Sequence, residues 1–201
     1  MKTDIIKVSS KGIQMEAALE QVEKVAAYKD LSRKNALHLR LLTEEMMGMM
    51  RSVTGETEGE FWIEDEDGEY RLHLRIAARL NTEKREQLLS ASSTGKNESA
   101  KGLMGRLRAF FDWSCDEDAD GFSSPVLLPD AFEYSSAPAL DWEWSMQRYE
   151  AALDAEMGQD NSAVREAWDE LEKSVVKHVA DDVRVAIRGG TVEMIIIKKL
   201  V

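Results

Sequence analysis

Leu39-Arg-Leu-Leu-Thr-Glu-Glu-Met-Met-Gly-Met-Met-Arg51 is the stretch on which the reading of this chain turns. Together with its flanks it places Leu37, Leu41, Leu42, Met46, Met49, Met50 and Val53 at the three- and four-residue spacing of a helix that buries one side. Ser32 offers a hydroxyl to cap the first turn, and Gly55 stops the last. Two adjacent carboxylates, Glu44 and Glu45, stand in the middle of this otherwise apolar run.

Outward from that helix the pattern alternates between helix and strand. Ile5, Ile6 and Val8 read as a short first strand, and Met15, Ala18, Leu19, Val22, Val25 and Ala26 predict an amphipathic helix over 14–29. Downstream, Phe61-Trp-Ile63 reads as a strand, Asp65-Glu-Asp-Gly68 as a tight hairpin turn, and 69–80 as the return strand. The return strand alternates cleanly, with Tyr70, Leu72, Leu74 and Ile76 on one face and Arg71, His73 and Arg75 on the other. Further helices are expected at 82–91, 102–111, 145–157 and 163–180, the last from Val164, Trp168, Leu171, Val175, Val176 and Val179. Two strands, 183–187 and 191–198, join through Gly189-Gly190. This order implies an α+β fold, a two-layer α/β sandwich with helices on one face of a mixed sheet. It forms one domain over 1–201, with an acidic, aromatic-containing insertion at 112–162 that holds all three prolines.

Composition narrows the function. The chain has 201 residues, net charge −12 and a single cysteine, Cys115. So acidic a surface repels phosphate backbones, which argues against nucleic acid as a partner. One cysteine makes neither a disulfide nor a zinc cluster, and no apolar run suits a signal peptide or a membrane span, so a cytoplasmic setting is expected. His38, His73 and His178 have no Cys or His at ligand spacing, and no Gly-x-Ser-x-Gly is present. Asp116-Glu-Asp-Ala-Asp-Gly121 opens like a calcium loop, but position twelve is Leu127 where a bidentate Glu is needed, so an acidic turn is expected.

Helix, hairpin and C-terminal strand pair together resemble the histidine-kinase-like (GHKL) ATPases, most closely the anti-sigma-factor serine kinases, over roughly 1–110 and 163–201. In that family a helical Glu-x-x-x-Asn orients water with its Glu and holds magnesium with its Asn. The resemblance places the acid at Glu45, or alternatively at Glu44. The Asn position then falls on Met49 or Gly48, and neither is a ligand for a hard cation. The family's adenine-reading Asp would fall on Ala77 or Ala78, with Asn81 as the nearest substitute. Its glycine-rich lid is faintly matched by Gly95–Gly105, where Lys96, Lys101, Gly102 and Gly105 would approach phosphate. The resemblance therefore implies a scaffold that has lost its nucleotide chemistry: a regulatory or protein-interaction domain with no resident cofactor. The alternative is an ATP- and magnesium-dependent kinase or ATPase with rearranged ligands. The insertion, with Trp113, Phe122, Phe132, Trp142 and Trp144, is expected to fold back over the nucleotide region. Arg71, His73, Arg75 and Arg79 form a basic face expected to dock an acidic partner, either another protein or a second copy.

Overall fold

The computed structural model describes residues 1–9, 13–54, 58–77, 142–156, 162–188 and 191–200. Their elements run β1 (Ile6–Ser9), α1 (Ile13–Tyr28), α2 (Arg33–Thr54), β2 (Glu58–Glu66), β3 (Glu69–Ala77), β4 (Trp142–Ser145), α3 (Met146–Glu156), α4 (Ser162–Glu172), α5 (Val175–Val179), β5 (Asp182–Arg188) and β6 (Thr191–Lys199). The strands form one six-stranded sheet in the order β1-β2-β3-β6-β5-β4. Every neighbouring pair is antiparallel, so the expected mixed sheet is corrected to an antiparallel one. The reason lies at one edge and at the centre of the order. β4 enters as an antiparallel edge on β5, and β6 returns antiparallel beside β3.

Helices cover one sheet face. α1 and α2 lie against β1, β2 and β6, while α3 lies against β4 and β5. At Gly59 of β2 an added Cβ would meet the Arg75 carbonyl oxygen of β3 at 2.9 Å and the Met50 Cε of α2 at 3.2 Å. A side chain there would collide with the β3 backbone, whereas the flexible Met50 tip could give way. The core between the layers contains Phe61, Ile63, Leu72, Leu74, Ile76, Met194 and Ile196 from the strands, and Val22, Leu39, Leu42, Met46, Met49 and Met50 from the helices. The stripe on α2 is rotated slightly from expectation. Leu39, Thr43 and Met47 are buried and Leu37 is half exposed. Thr43 tolerates burial because its hydroxyl donates to the Leu39 carbonyl at 2.9 Å.

Local signals account for the joints. The Ser32 hydroxyl accepts from the Asn35 amide at 3.3 Å, as its N-cap position implies. α1 ends with Asp30 in the left-handed region at φ 49°, and the Leu31 amide reaches back to the Ala26 carbonyl at 3.0 Å, closing the helix as a Schellman turn. The β2–β3 turn is Asp67-Gly68, both with positive φ (50° and 85°), the geometry for which an Asp-Gly pair is suited. The expected helix over 163–180 is two helices. Ser174 is extended at φ −76°, ψ 129°, and the break rephases the chain so that Val175 is exposed while Val176 is buried.

The C-terminal third of the expected insertion belongs to the fold itself. β4 is a sheet strand, and Trp144, Met146, Tyr149 and Leu153 join the core. The Trp144 and Tyr149 rings meet with centroids 5.9 Å apart. Residues 112–141, with Trp113, Phe122, Phe132 and the Asp116–Gly121 turn, lie outside the described residues, as do the helices expected at 82–91 and 102–111.

Candidate functional site

Two places could carry function: the middle of α2, where the resemblance puts a catalytic acid, and the sheet face that the described helices leave uncovered.

On α2, residues 44 and 45 fall at the margin of the buried stripe, and both acids are half-buried. The Glu44 carboxylate receives the Arg40 Nε at 3.1 Å, and the same guanidinium reaches across to Glu23 on α1. Glu44 is thus the end of a helix–helix ion-pair bridge. One turn on from Glu45 stands Met49, 1% exposed and part of the core. A side chain in that register faces the sheet interior, so a polar ligand there would sit in hydrocarbon. One turn on from Glu44 stands Gly48, which is exposed and has nothing within 4 Å of the Cβ it lacks. Neither register therefore presents a metal-ligating side chain beside its acid. Ala77, where the resemblance puts the adenine-reading Asp, closes β3 opposite Thr191. Asn81, Lys96, Lys101, Gly102 and Gly105 lie outside the described residues, as does Arg79.

The open face is built by strand register. Side chains of one parity on β2, β3, β6 and β5 line up in rows across the sheet: Trp62, His73, Ile195 and Arg184; Glu60, Arg75, Glu193 and Ala186; Glu64, Arg71, Ile197 and Asp182. β2 contributes acids and β3 contributes bases, so rows of opposite charge lie side by side. Arg71 donates to Glu69 through Nε at 2.9 Å and lies 3.2 Å from Glu66. Arg75 lies between Glu60 at 3.8 Å and Glu193 at 3.7 Å, with its guanidinium 5.0 Å from the Trp62 ring centre. The cluster expected to be a basic patch is therefore an ion-pair lattice whose positive charge is largely answered by neighbouring acids.

His73 is the surprise of this face. It lies between two arginines on the face of alternate polar residues, yet it is only 7% exposed. Its imidazole stacks on Trp62, centroids 4.7 Å apart and planes 9° from parallel. Trp62 is itself buried, with Lys2 5.4 Å from its ring centre and its indole N–H donating to Glu64 at 3.1 Å. Nε2 of His73 lies 3.4 Å from Glu64 and Nδ1 3.8 Å from Glu193, but neither nitrogen makes a hydrogen bond to a described residue. Burial pushes the imidazole below its ordinary range; Glu64 and Glu193 pull it back up, and Lys2 and Arg71 push it further down. Glu64 is held below the ordinary carboxylate range, chiefly by its hydrogen bond from Lys2, against the opposing effect of burial. Beside this stack a concavity of about 370 Å³ opens on the same face, walled by Arg75, Ala186, Thr191 and Glu193.

The alternation on β3 forecast which residues share this face. It did not reveal that His73 is buried, because that depends on Trp62, which lies opposite it on another strand. The aromatic at the cross-strand position was the available signal. Among the described residues no group of His, Cys, Asp and Glu is arranged to hold a metal ion, and no helix is long and apolar enough to cross a membrane.

No protein-family model matches the chain, and no curated protein sequence matches it.

Proposed function

We propose that this is a non-catalytic interaction domain on a histidine-kinase-like scaffold, working through its open sheet face. The observation that carries the reading is on α2. The two positions one turn beyond the paired acids are a core methionine, Met49, and a glycine open to solvent, Gly48. Magnesium-assisted phosphoryl transfer depends on oxygen ligands positioned on the phosphates, and no such ligand follows either acid. The element order β1-α1-α2-β2-β3 and the closing β5-β6 pair support the scaffold half of the reading.

The face's charge pattern favours a second copy as the occupant. β2 presents Glu60 and Glu64 beside Arg71 and Arg75 of β3. Adjacent rows of opposite sign are self-complementary: a two-fold rotation brings the acidic row of one copy over the basic row of the other. Such contacts steer encounter and weaken with salt.

The test is an assay for Mg·ATP hydrolysis and for phosphotransfer to serine-containing protein substrates. Removing one positioned electrostatic group commonly costs about 10²–10³ in rate. Here the expected result is no turnover above background. Magnesium-dependent turnover that disappears in Glu45→Gln would establish the kinase or ATPase reading instead.

A further inference from the structure

His73 is buried on a face built from charges, and the groups around it come from four elements. Trp62 stacks on one side of the ring. Glu64 of β2 stands 3.4 Å from Nε2, and Glu193 of β6 stands 3.8 Å from Nδ1. Lys2 precedes β1 and pairs with Glu64 at 2.9 Å. Arg71 and Arg75 flank His73 on its own strand, and Arg184 of β5 lies one strand beyond, across Ile195. A neutral imidazole has one N–H and one lone pair, so it cannot donate to both carboxylates. An imidazolium has two N–H donors, and the two acceptors already stand on opposite sides of the ring.

We propose that His73 is a proton-operated clasp on the open face: taking up one proton turns the ring into a double donor that joins Glu64 on β2 to Glu193 on β6 and draws Glu193 away from Arg75. Glu193 Oε1 is the shared atom, 3.8 Å from His73 Nδ1 and 3.7 Å from Arg75. Both are contacts beyond hydrogen-bonding distance, so the imidazolium and the guanidinium compete for one carboxylate oxygen. The guanidinium released from Glu193 faces the concavity, and the face gains one positive charge. Acidification thus makes this face more receptive to an anionic surface. The clasp itself needs no partner and stands or falls apart from the docking reading.

The sign of the coupled stability follows. The unfolded chain binds the proton near pH 6.5, the ordinary value for histidine. Burial depresses the folded-state value below that. Stability linked to neutral His73 is therefore present in full above about pH 6.5 and is lost as pH falls from there through the folded-state value.

The experiment follows the three imidazole Cε1 resonances by NMR from pH 8 to pH 4.5, alongside Trp fluorescence, in the wild type, His73→Asn, Glu64→Gln and Glu193→Gln. The resonance absent from His73→Asn identifies the residue. The clasp predicts a His73 midpoint below that of the ordinary imidazole. A fluorescence change should share that midpoint and vanish in His73→Asn, because a charged ring stacked on Trp62 perturbs its emission. The midpoint should fall further in both Glu→Gln variants, since each removes a carboxylate that favours the charged ring. A midpoint unmoved by Glu193→Gln and Glu64→Gln overturns the proposal, and so does a ring that stays neutral to pH 4.5 in the folded protein. If His73→Asn fails to fold, the two carboxylate variants still decide the matter, because both positions are partly exposed.

Discussion

The two faces of this sheet are held by different physics, although the same strands build both. On the helix side Phe61, Ile63, Leu72, Leu74 and Ile196 are buried against α1 and α2 by apolar contact alone. On the open side Trp62, His73 and Ile197 are also nearly buried, but among ion pairs. The comparison teaches that period-two alternation assigns residues to faces without saying whether a face is wet. Lys2 and Arg75, each over the Trp62 ring, add their apolar stems to its cover.

The largest difference between the buried and open sides is expected on one helix, at adjacent positions. Met49→Asn puts an amide into the core and leaves a void. The expected loss is about 3–5 kcal/mol, by analogy with core truncations and unsatisfied buried polar groups. Gly48→Asn adds its side chain to open space and gains slightly in helix propensity, so stability should stay within about 0.5 kcal/mol of wild type. Chemical denaturation of the two variants checks both. Similar losses at the two positions would mean that α2 is rotated from the orientation described.

Ion pairs offer the second contrast. Asp65 is buried at the hairpin end, where its carboxylate meets Lys29 at 2.5 Å and accepts the Gly68 amide at 3.2 Å. Burial alone would raise this carboxyl. The hydrogen bonds from Lys29 and the Gly68 amide, with the charges of Lys29 and the N-terminus, outweigh it and hold the group below its ordinary value. Asp65→Ala strands a cation and an amide, and should cost about 2–4 kcal/mol. Arg71→Ala on the open face, where the partners are solvated, should cost no more than about 1 kcal/mol. Because Asp65 is depressed in the folded state, its contribution is present above about pH 4 and drains as pH falls below that. A denaturation series across pH 3–7 should show the Asp65→Ala difference shrinking towards the acid end.

Much of this architecture was legible in the sequence. The α1 stripe, the Ser32 cap, the Asp67-Gly68 turn and the β3 alternation each follow from local periodicity or from a residue with special backbone freedom. What was not legible depended on distant partners. β4 reads as part of an acidic insertion because Trp142–Ser145 is too short to signal a strand by itself; it becomes one by pairing with β5. The break at Ser174 hides because apolar residues continue through it, Trp168 and Leu171 before and Val175, Val176 and Val179 after, with near-helical spacing. At the candidate site, the paired acids and the missing Asn were visible on α2. That Met49 rather than Gly48 faces the core required the helix's orientation on the sheet. The arginines were visible too, but their neutralisation by Glu60, Glu66, Glu69 and Glu193 depends on register.

The open face as working surface is the central claim, and sedimentation velocity of the wild type beside the double variant Arg71→Glu with Arg75→Glu tests it most directly. Both proteins are run at low and at high salt, with circular dichroism confirming the fold. The account predicts self-association of the wild type that weakens as salt rises and is lost in the double variant. A folded double variant that associates as the wild type does at low salt would contradict it, and so would a wild type that stays monomeric under every condition.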